Sequence, residues 1–356
     1  MKKSFSILSI LMTGIFLTLC LVPSLGMLLT GPSPLLANES APRTPAMTDR
    51  DGNFNADVLS EAADYVGSRF ALRPYLVSAR SFLFEKLFHS SAEEQVILGH
   101  DGQFYYSSTL DDFCGMGLGD AELQRIAAHL AALQTQVESR GARFLFVVAP
   151  NKNSVNAGGM PARFPANRAQ ANYTRLLPML EEAGVHTVDL YGILAGHPEL
   201  YYRTDSHWTP EGAAVAADAM LSAVGKNTAF SEGPFSPEGL HIGDLYQMLY
   251  PVGSGREAEL VYVPGFSHET ASDPRGGNAI TIRTSSPAGQ GSLFCLRDSF
   301  GIALYPYLAE AFETAEFSRS SDYSAEAFSK LDADVVILEI VERNLSQLLP
   351  AEDSAA

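Results

Sequence analysis

A carboxylate, an imidazole, a guanidinium and the only tryptophan of the chain fall within ten residues, Tyr201-Tyr202-Arg203-Thr204-Asp205-Ser206-His207-Trp208-Thr209-Pro210. Asp205, two residues before His207, can orient the imidazole and stabilise its protonated form. Thr209 suits a helix cap and Pro210 the first helical turn, and the alanine-rich run from Gly212 continues the helix. The loop is therefore expected to be rigid. It offers an acid and a base but no nucleophile, because Ser206 lies between the two and reads as a spacer.

A nucleophile of the right type lies about ninety residues further on. Ser292-Leu293-Phe294-Cys295-Leu296 reads as a buried strand, Arg297-Asp298-Ser299-Phe300-Gly301 as a sharp turn, and Ile302 to Phe312 as a helix. A serine in such a turn projects its hydroxyl at the sheet edge, with its N–H at a helix start that favours an oxyanion. A serine hydroxyl needs an adjacent base, and His207 is the imidazole available. The competing reading of Asp-Ser-Phe-Gly is a helix cap or turn. Convergence with His207 favours the chemical reading.

That convergence depends on the elements between the two blocks. Helices are expected over Val58 to Phe70 and Tyr75 to Phe88, then a hairpin from Val96 to Tyr106 about His100-Asp101-Gly102. Asp120 is expected to cap a helix whose Leu123, Ile126, Leu130, Leu133 and Val137 share one face, with Gly141 ending it. Phe144 to Ala149 is a continuous apolar run, as for a strand buried on both faces. A helix from Arg168 to Glu182, closed by Gly184, leads to a strand from Val185 to Leu190, and Pro210 to Val224 is helical. From about 231 to 291 the alternation lapses into glycines, prolines and short strand-like pieces, Glu259 to Val263 and Ala279 to Ile282, read as an insertion near the site rim. Then come a short piece at Glu316-Phe317, a helix from Ala325 to Leu331 and a last core strand from Asp334 to Val341. Alternating strands and helices predict an α/β fold with a central parallel sheet. Four polar strand exits then share one edge: Asn151 and Lys152, the Asp205 and His207 loop, Asp298 and Ser299, and Arg343 and Asn344.

The 356 residues can bury a large core, and an apolar fraction of 46% with 20 prolines and 29 glycines is that of a folded protein. A net charge of -17 argues against nucleic acid as a partner, which needs a surplus of Lys and Arg. Lys2 and Lys3 precede an apolar run from Phe5 to Leu29, long enough to span a bilayer. It reads as an uncleaved anchor with everything downstream outside the cytoplasm; the rival reading is a signal peptide cleaved near Ala37. Residues 1–30 are thus an anchor or signal peptide, 31–55 a linker, and 56–350 the main domain. Cys20 does not follow a small residue, so no lipoprotein site is expected.

Cys114 and Cys295 permit one disulfide, although Cys295 sits in an apolar strand and suits a small buried side chain. No cysteine and histidine spacing resembles a zinc site, and neither metal nor cofactor is expected. His89, His100, His129, His186, His197, His241 and His268 lack a carboxylate at comparable spacing or lie where a structural or exposed role is expected. Trp208 is expected to be a packing wedge beneath the loop, with a sugar platform as the alternative.

Arg203-Thr204-Asp205-Ser206-His207-Trp208, Ala149-Pro150-Asn151-Lys152, Arg297-Asp298-Ser299-Phe300 and Glu339-Ile340-Val341-Glu342-Arg343-Asn344 together resemble the SGNH hydrolase-like proteins of the alginate O-acetylation type (AlgX/AlgJ-like), and their DHHW-family relatives. The likeness runs from about Asn55 to Leu349. The first His of the DHHW name is Ser206 here. The resemblance implies an SGNH-like, flavodoxin-like three-layer fold with circularly permuted motif order, the Asp-His block preceding the Ser block. It implies a triad of Ser299, His207 and Asp205, and acetyl transfer through an acyl-enzyme to a carbohydrate hydroxyl or water. The Ser299 N–H would serve the oxyanion, with Asn344, Arg343 or Asn151 completing the hole, and Arg203, Lys152 and Tyr305 shaping the acceptor site. The expected protein is an extracytoplasmic O-acetyltransferase or acetylesterase acting on a cell-wall or secreted polysaccharide, with a membrane acetyl-carrier as partner. The alternative is an inactive glycan-binding or scaffold component of a polysaccharide modification or export complex.

Overall fold

The structure is a computed structural model, and it describes residues 7–36, 39–49, 51–271 and 280–350. Lys2, Lys3, the proposed cleavage position Ala37 and Ala279 lie outside these. The chain divides into two compact units, Met1–Val96 with Asp244–Gly255, and Ile97–Gly243 with Arg256–Ala356.

In the first unit the helix Ile7–Thr30 is long and apolar enough to cross a membrane. The expected helices form as Val58–Arg69 and Arg73–Phe88. Glu39, in the segment expected to be a linker, accepts two bonds from the Arg73 guanidinium at 2.6 and 2.8 Å.

The strands in chain order are β1 (Val96–Leu98), β2 (Phe104–Tyr106), β3 (Arg143–Ala149), β4 (Thr187–Val188), β5 (Phe235–His241), β6 (Glu257–Tyr262), β7 (Glu269–Thr270), β8 (Thr281–Ser285), β9 (Ser292–Leu296), β10 (Thr314–Ser318) and β11 (Val335–Val341). Apolar runs buried on both faces drive the sheet of the second unit. All of β11 is buried, and all of β3 except Arg143. Seven strands align in the order β4-β3-β11-β9-β10-β8-β7. The first five are parallel, with Val335 to Val341 of β11 opposite Arg143 to Ala149 of β3 and Val335 to Leu338 opposite Leu293 to Leu296 of β9.

Strand alternation divides the core into two layers. Phe144, Phe146, Val148, Val336, Leu338 and Ile340 pack under the helices Asp120–Glu138 and Asn172–Glu182. Leu145, Val147, Ala149, Val335, Ile337 and Val341 meet the helices Pro210–Ala223 and Gly301–Glu310. Gly141 and Gly184 end the first pair of helices with φ of 87° and 70°, the left-handed region that glycine enters freely.

Several local expectations need correction. The cap of the helix Asp120–Glu138 is Gly119, whose N–H is accepted by the Glu122 carboxylate at 2.8 Å; Asp120 is its first residue. The helix expected from Arg168 starts at Asn172 after a separate turn at Arg168–Gln170. The strand expected over Val185 to Leu190 shrinks to β4, because the Asp189 side chain accepts from the Gly192 N–H and starts a short helix. Within the irregular stretch, β8 pairs antiparallel with β10 and extends the main sheet, while β5 and β6 make a separate hairpin. The sheet is consequently mostly, not wholly, parallel. Cys114 and Cys295 are both free, with Cys295 buried in β9.

At the end of β11, Glu342 is buried and accepts from the Asn151 N–H at 2.8 Å and the Ser154 hydroxyl at 2.7 Å. Burial, with the neighbouring Asp112 carboxylate, pushes its acid up to about 8. An unfolded Glu titrates near about 4.3, so the unfolded chain binds fewer protons between these values, and stability falls as pH rises through the window. We expect wild type to lose several °C of Tm from pH 5 to 8.5, and Glu342→Gln to lose about half as much or less, measured by thermal unfolding across pH. Equal slopes would remove Glu342 as the source.

Candidate active site

The four polar segments do share an edge: β3 and β11 run parallel and end in register at Ala149 and Val341, β9 ends opposite Leu338 and its following turn carries Asp298 up to Val341, and contacts to Lys152 and Ser299 bring in the Asp205 and His207 loop. Ser299 leaves β9 in a turn fixed from both sides. The Asp298 carboxylate accepts from the Phe300 N–H at 2.9 Å and, across the sheet, from the Val341 N–H at 2.7 Å. The Asp298 N–H in turn donates to Glu339 at 3.1 Å. Burial beside Asp298 keeps the Glu339 acid well above its usual range. These bonds anchor the turn to β11, the neighbouring core strand.

The Asp205 and His207 loop is held just as firmly. Tyr201 and Trp208 form an antiparallel bridge, and the Tyr202 N–H reaches the His207 carbonyl at 3.2 Å. Thr209 caps the helix Pro210–Ala223 through the Gly212 N–H at 3.2 Å, as expected. Gly212 is required there, since a Cβ would lie 2.3 Å from the Leu200 carbonyl oxygen. Lys152, only 4% exposed, sends its ammonium to the carbonyls of Phe104, Arg203 and Asp205 at 2.7, 2.6 and 3.2 Å. From the other side the Glu257 carboxylate accepts from the N–H groups of Arg203 and Thr204, each at 2.8 Å.

Within this frame His207 Nδ1 lies 2.7 Å from Asp205 Oδ1 and His207 Nε2 lies 2.9 Å from Ser299 Oγ. Asp205 is 3% exposed and also accepts from the His207 N–H at 2.9 Å. Its second oxygen, Oδ2, meets His241 Nε2 at 2.8 Å. Burial opposes the charge on Asp205, yet the pull of His207 and the bonds from both imidazoles hold the carboxyl well below its usual range. With Asp205 ionised, Nδ1 is the ring nitrogen suited to carry the His207 proton, and Nε2 faces the Ser299 hydroxyl.

His241, for which the sequence suggests only a structural or exposed role, lies against the carboxylate. It lies at the end of β5, stacked on Tyr202 with centroids 3.9 Å apart. Burial would lower its basicity, but the bond and charge of Asp205, backed by Glu259 and Glu257, raise it. No local spacing reveals this contact, because the hairpin of β5 and β6 delivers it.

A cleft of about 460 Å³ opens beside Ser299 and His207, lined also by Tyr202, Asp205, His241 and a largely apolar wall from β6 and the helix Gly301–Glu310. Trp208 is the wedge: it is 1% exposed, meets Phe300 edge-on at 4.9 Å and donates to the Phe300 carbonyl at 3.2 Å. The remaining sequence candidates stand back from the cleft. Arg343 lies over the rings of Tyr106 and Phe300, 5.5 Å from each, and Asn344 approaches Asp298 Oδ2 at 3.5 Å. Asn151 is 1% exposed beneath the edge, and among the described residues neither polar atom of its side-chain amide has a hydrogen-bond partner. Arg203 is largely exposed, 3.6 Å from Glu257, and Tyr305 packs edge-on against Phe317.

Residues 96–264 match the family described as the SGNH hydrolase-like domain of the acetyltransferase AlgX. The probable alginate O-acetylase AlgJ of Pseudomonas putida is 24% identical over 200 residues, 55% of this chain and 50% of that protein. The chain thus spans about half the length of this curated relative. Among solved structures, Bacillus cereus PatB1 with a sulfonyl adduct aligns with a TM-score of 0.56 at 17% identity, over 72% of this chain and 99% of that one. A DHHW family protein from Eubacterium siraeum aligns at 0.51 and 16%, over 71% and 93%. These matches bear out the expected resemblance, and the fold is SGNH-like.

If His241 shares the Asp205 charge, removing its own positive charge should favour a proton on the remaining imidazole. We expect His241→Gln to move the acidic limb of Ser299 labelling by a sulfonyl fluoride to higher pH. His241→Ala, which also frees one carboxylate oxygen, should slow labelling by about tenfold at neutral pH. The pH–rate profile of labelling checks both, and an unchanged profile in both variants would confine His241 to packing.

Proposed function

We propose that this chain is a serine-dependent O-acetyltransferase or acetylesterase that works outside the cytoplasm on a polysaccharide, anchored by the helix Ile7–Thr30. The observation that carries the reading is the continuous line from Asp205 through His207 to Ser299, at 2.7 and 2.9 Å. A serine on a fixed turn, a base on its hydroxyl and a buried carboxylate behind the base are the parts that acyl transfer requires.

Ser299 Oγ attacks the donor carbonyl carbon while its proton passes to His207 Nε2, and Asp205 stabilises the imidazolium. The proton then goes to the leaving group as the donor bond breaks. A carbohydrate hydroxyl or water attacks the acyl-enzyme, gives its proton to His207, and Ser299 is restored. The Ser299 N–H, at the entry to the helix Gly301–Glu310, is assigned to the oxyanion. Arg343, over the Phe300 ring, and Asn344, beside Asp298, are the side chains assigned to assist it. Asn151 and Lys152 are given the task of supporting the edge, and Arg203 and Tyr305 stay at its margin.

The family match over residues 96–264 and the likeness to a probable alginate O-acetylase support the acetyl group and the polysaccharide. The apolar helix supports a membrane location, with a membrane acetyl-carrier as the donor's source. Full-length protein in lipid nanodiscs, given 4-nitrophenyl acetate, should form an acetyl adduct on the Ser299 peptide. Ser299→Ala should lose roughly 10³-fold or more in turnover. Equal turnover by the two proteins would overturn the assignment, and glycan binding without acetyl release by either would favour a scaffold.

A further inference from the structure

The helix Arg73–Phe88 of the first unit exposes its apolar residues. Leu72 at its cap, Tyr75, Leu76, Phe82, Leu83 and Leu87 are all between 37% and 66% exposed. Together with Ala79 and Lys86, which are exposed too, they keep the three- and four-residue spacing of one helical face. The other side is the packed and polar one: Ser81 is buried, the Ser78 hydroxyl takes the Val252 N–H at 3.4 Å, and Glu85 accepts from the Tyr250 hydroxyl. A helix that serves a protein core has the reverse pattern. Arg80 and Lys86 lie along the stripe, and their pairs with Glu93 and Glu85 are surface pairs that cost little to give up.

What covers this stripe is indicated by the neighbour of its first turn, the membrane-length helix Ile7–Thr30. The Ala71 N–H donates to the Pro23 carbonyl at 3.3 Å, and the Ser33 N–H donates to the Arg69 carbonyl at 2.8 Å. Pro23 is buried, and at Gly26, one turn on, a Cβ would lie 2.8 Å from that of Ala71. The 24 residues of the long helix span about 36 Å against a hydrocarbon core of about 30 Å, and Pro23 lies about 10 Å before the end at Thr30. Ala71 is therefore held about 5–10 Å inside the edge of the hydrocarbon, the depth to which a surface helix sinks its apolar face. Resting on the anchor proposed above, we infer that the helix Arg73–Phe88 lies in the surface of the lipid bilayer. The Leu72 to Leu87 stripe sits among the acyl chains, and Arg80 and Lys86 reach up to the phosphates. A spanning helix alone leaves the chain free to pivot at its exit, where Gly31 has a φ of 81°. A second helix along the surface removes that freedom.

The test is photolabelling of the full-length chain in vesicles of phosphatidylcholine and phosphatidylglycerol that include a lipid with a diazirine on its acyl chain. Mass spectrometry of the digested protein then shows which segments took lipid. We expect adducts on both Ile7–Thr30 and Arg73–Phe88. The combined variant Phe82→Ser, Leu83→Ser, Leu87→Ser should lose about tenfold or more of the label on Arg73–Phe88 and none on Ile7–Thr30. All three side chains are exposed, so its unfolding midpoint should stay that of wild type. Adducts on Ile7–Thr30 alone would overturn the inference, leave the anchor standing and point to a protein partner for the stripe. Adducts on Arg73–Phe88 alone would support the surface helix and remove the anchor. Label on neither segment would sink both, and equal label on Arg73–Phe88 in wild type and variant would overturn the stripe as the lipid contact.

Discussion

A carboxylate that is 3% exposed keeps its charge only where donors surround it, and much of the site's framework follows from supplying them to Asp205. His207 contributes its ring and its backbone N–H to one oxygen, and His241 its ring to the other. Neither ring could hold these positions on a loose loop. The carboxylate therefore needs the Tyr201 and Trp208 bridge, the Thr209 cap, and the clamps of Lys152 and Glu257 on the loop backbone. Lys152 works as a structural cation: an ammonium buried at the end of β3 is tolerable because it donates to three carbonyls, and these carbonyls are the loop.

The same logic holds on the serine side with the charge arranged differently. Asp298 accepts from two backbone N–H groups, one within its own turn and one on β11, so the position of Ser299 is referred to the sheet and not to a flexible loop. Phe300, fully buried, then links the two halves. Its ring lies 4.7 Å from His207 and 4.9 Å from Trp208, and its carbonyl takes the tryptophan N–H. An imidazole and a hydroxyl brought from positions 92 residues apart meet at 2.9 Å because the ring of His207 packs on Phe300 and the turn that carries Ser299 and Phe300 is tied to β11 through Asp298.

What the sequence made legible is what local chemistry determines. The apolar runs of β3, β9 and β11, the cap at Thr209 with Pro210, the glycines that stop helices, and the convergence of Asp205, His207 and Ser299 are each written in adjacent residues or in strand order. His241 was missed because its carboxylate lies 36 residues earlier, and only the β5 and β6 hairpin brings them together. Position at a strand exit and the resemblance place Lys152 and Arg203 near the acceptor, but neither tells that the Lys152 ammonium is buried among three carbonyls while the Arg203 guanidinium is largely exposed. The strand-like piece Ala279 to Ile282 overlaps β8, but its antiparallel place in the main sheet beside β7, a strand of two residues, is not legible, because so short a strand carries almost no periodicity. Whether a polar strand exit points into a cleft or down into the edge is decided by its neighbours, and sequence order does not reveal them.

The segments that local patterns describe least well also shape the cleft most. β6 and Phe266 belong to the stretch where strand and helix alternation lapses, yet they form the wall opposite the helix Gly301–Glu310. The parallel core sets the catalytic distances, and this wall sets what fits beside them. That division of labour bears on transfer against hydrolysis. An acyl-enzyme is spared by water to the extent that the space around its carbonyl is filled, and an apolar wall excludes water best when an apolar group lies against it. Here that wall is the face of Ile302, Ala303, Pro306 and Tyr307 opposite Tyr262 and Phe266, and it bounds the room left for water beside Ser299.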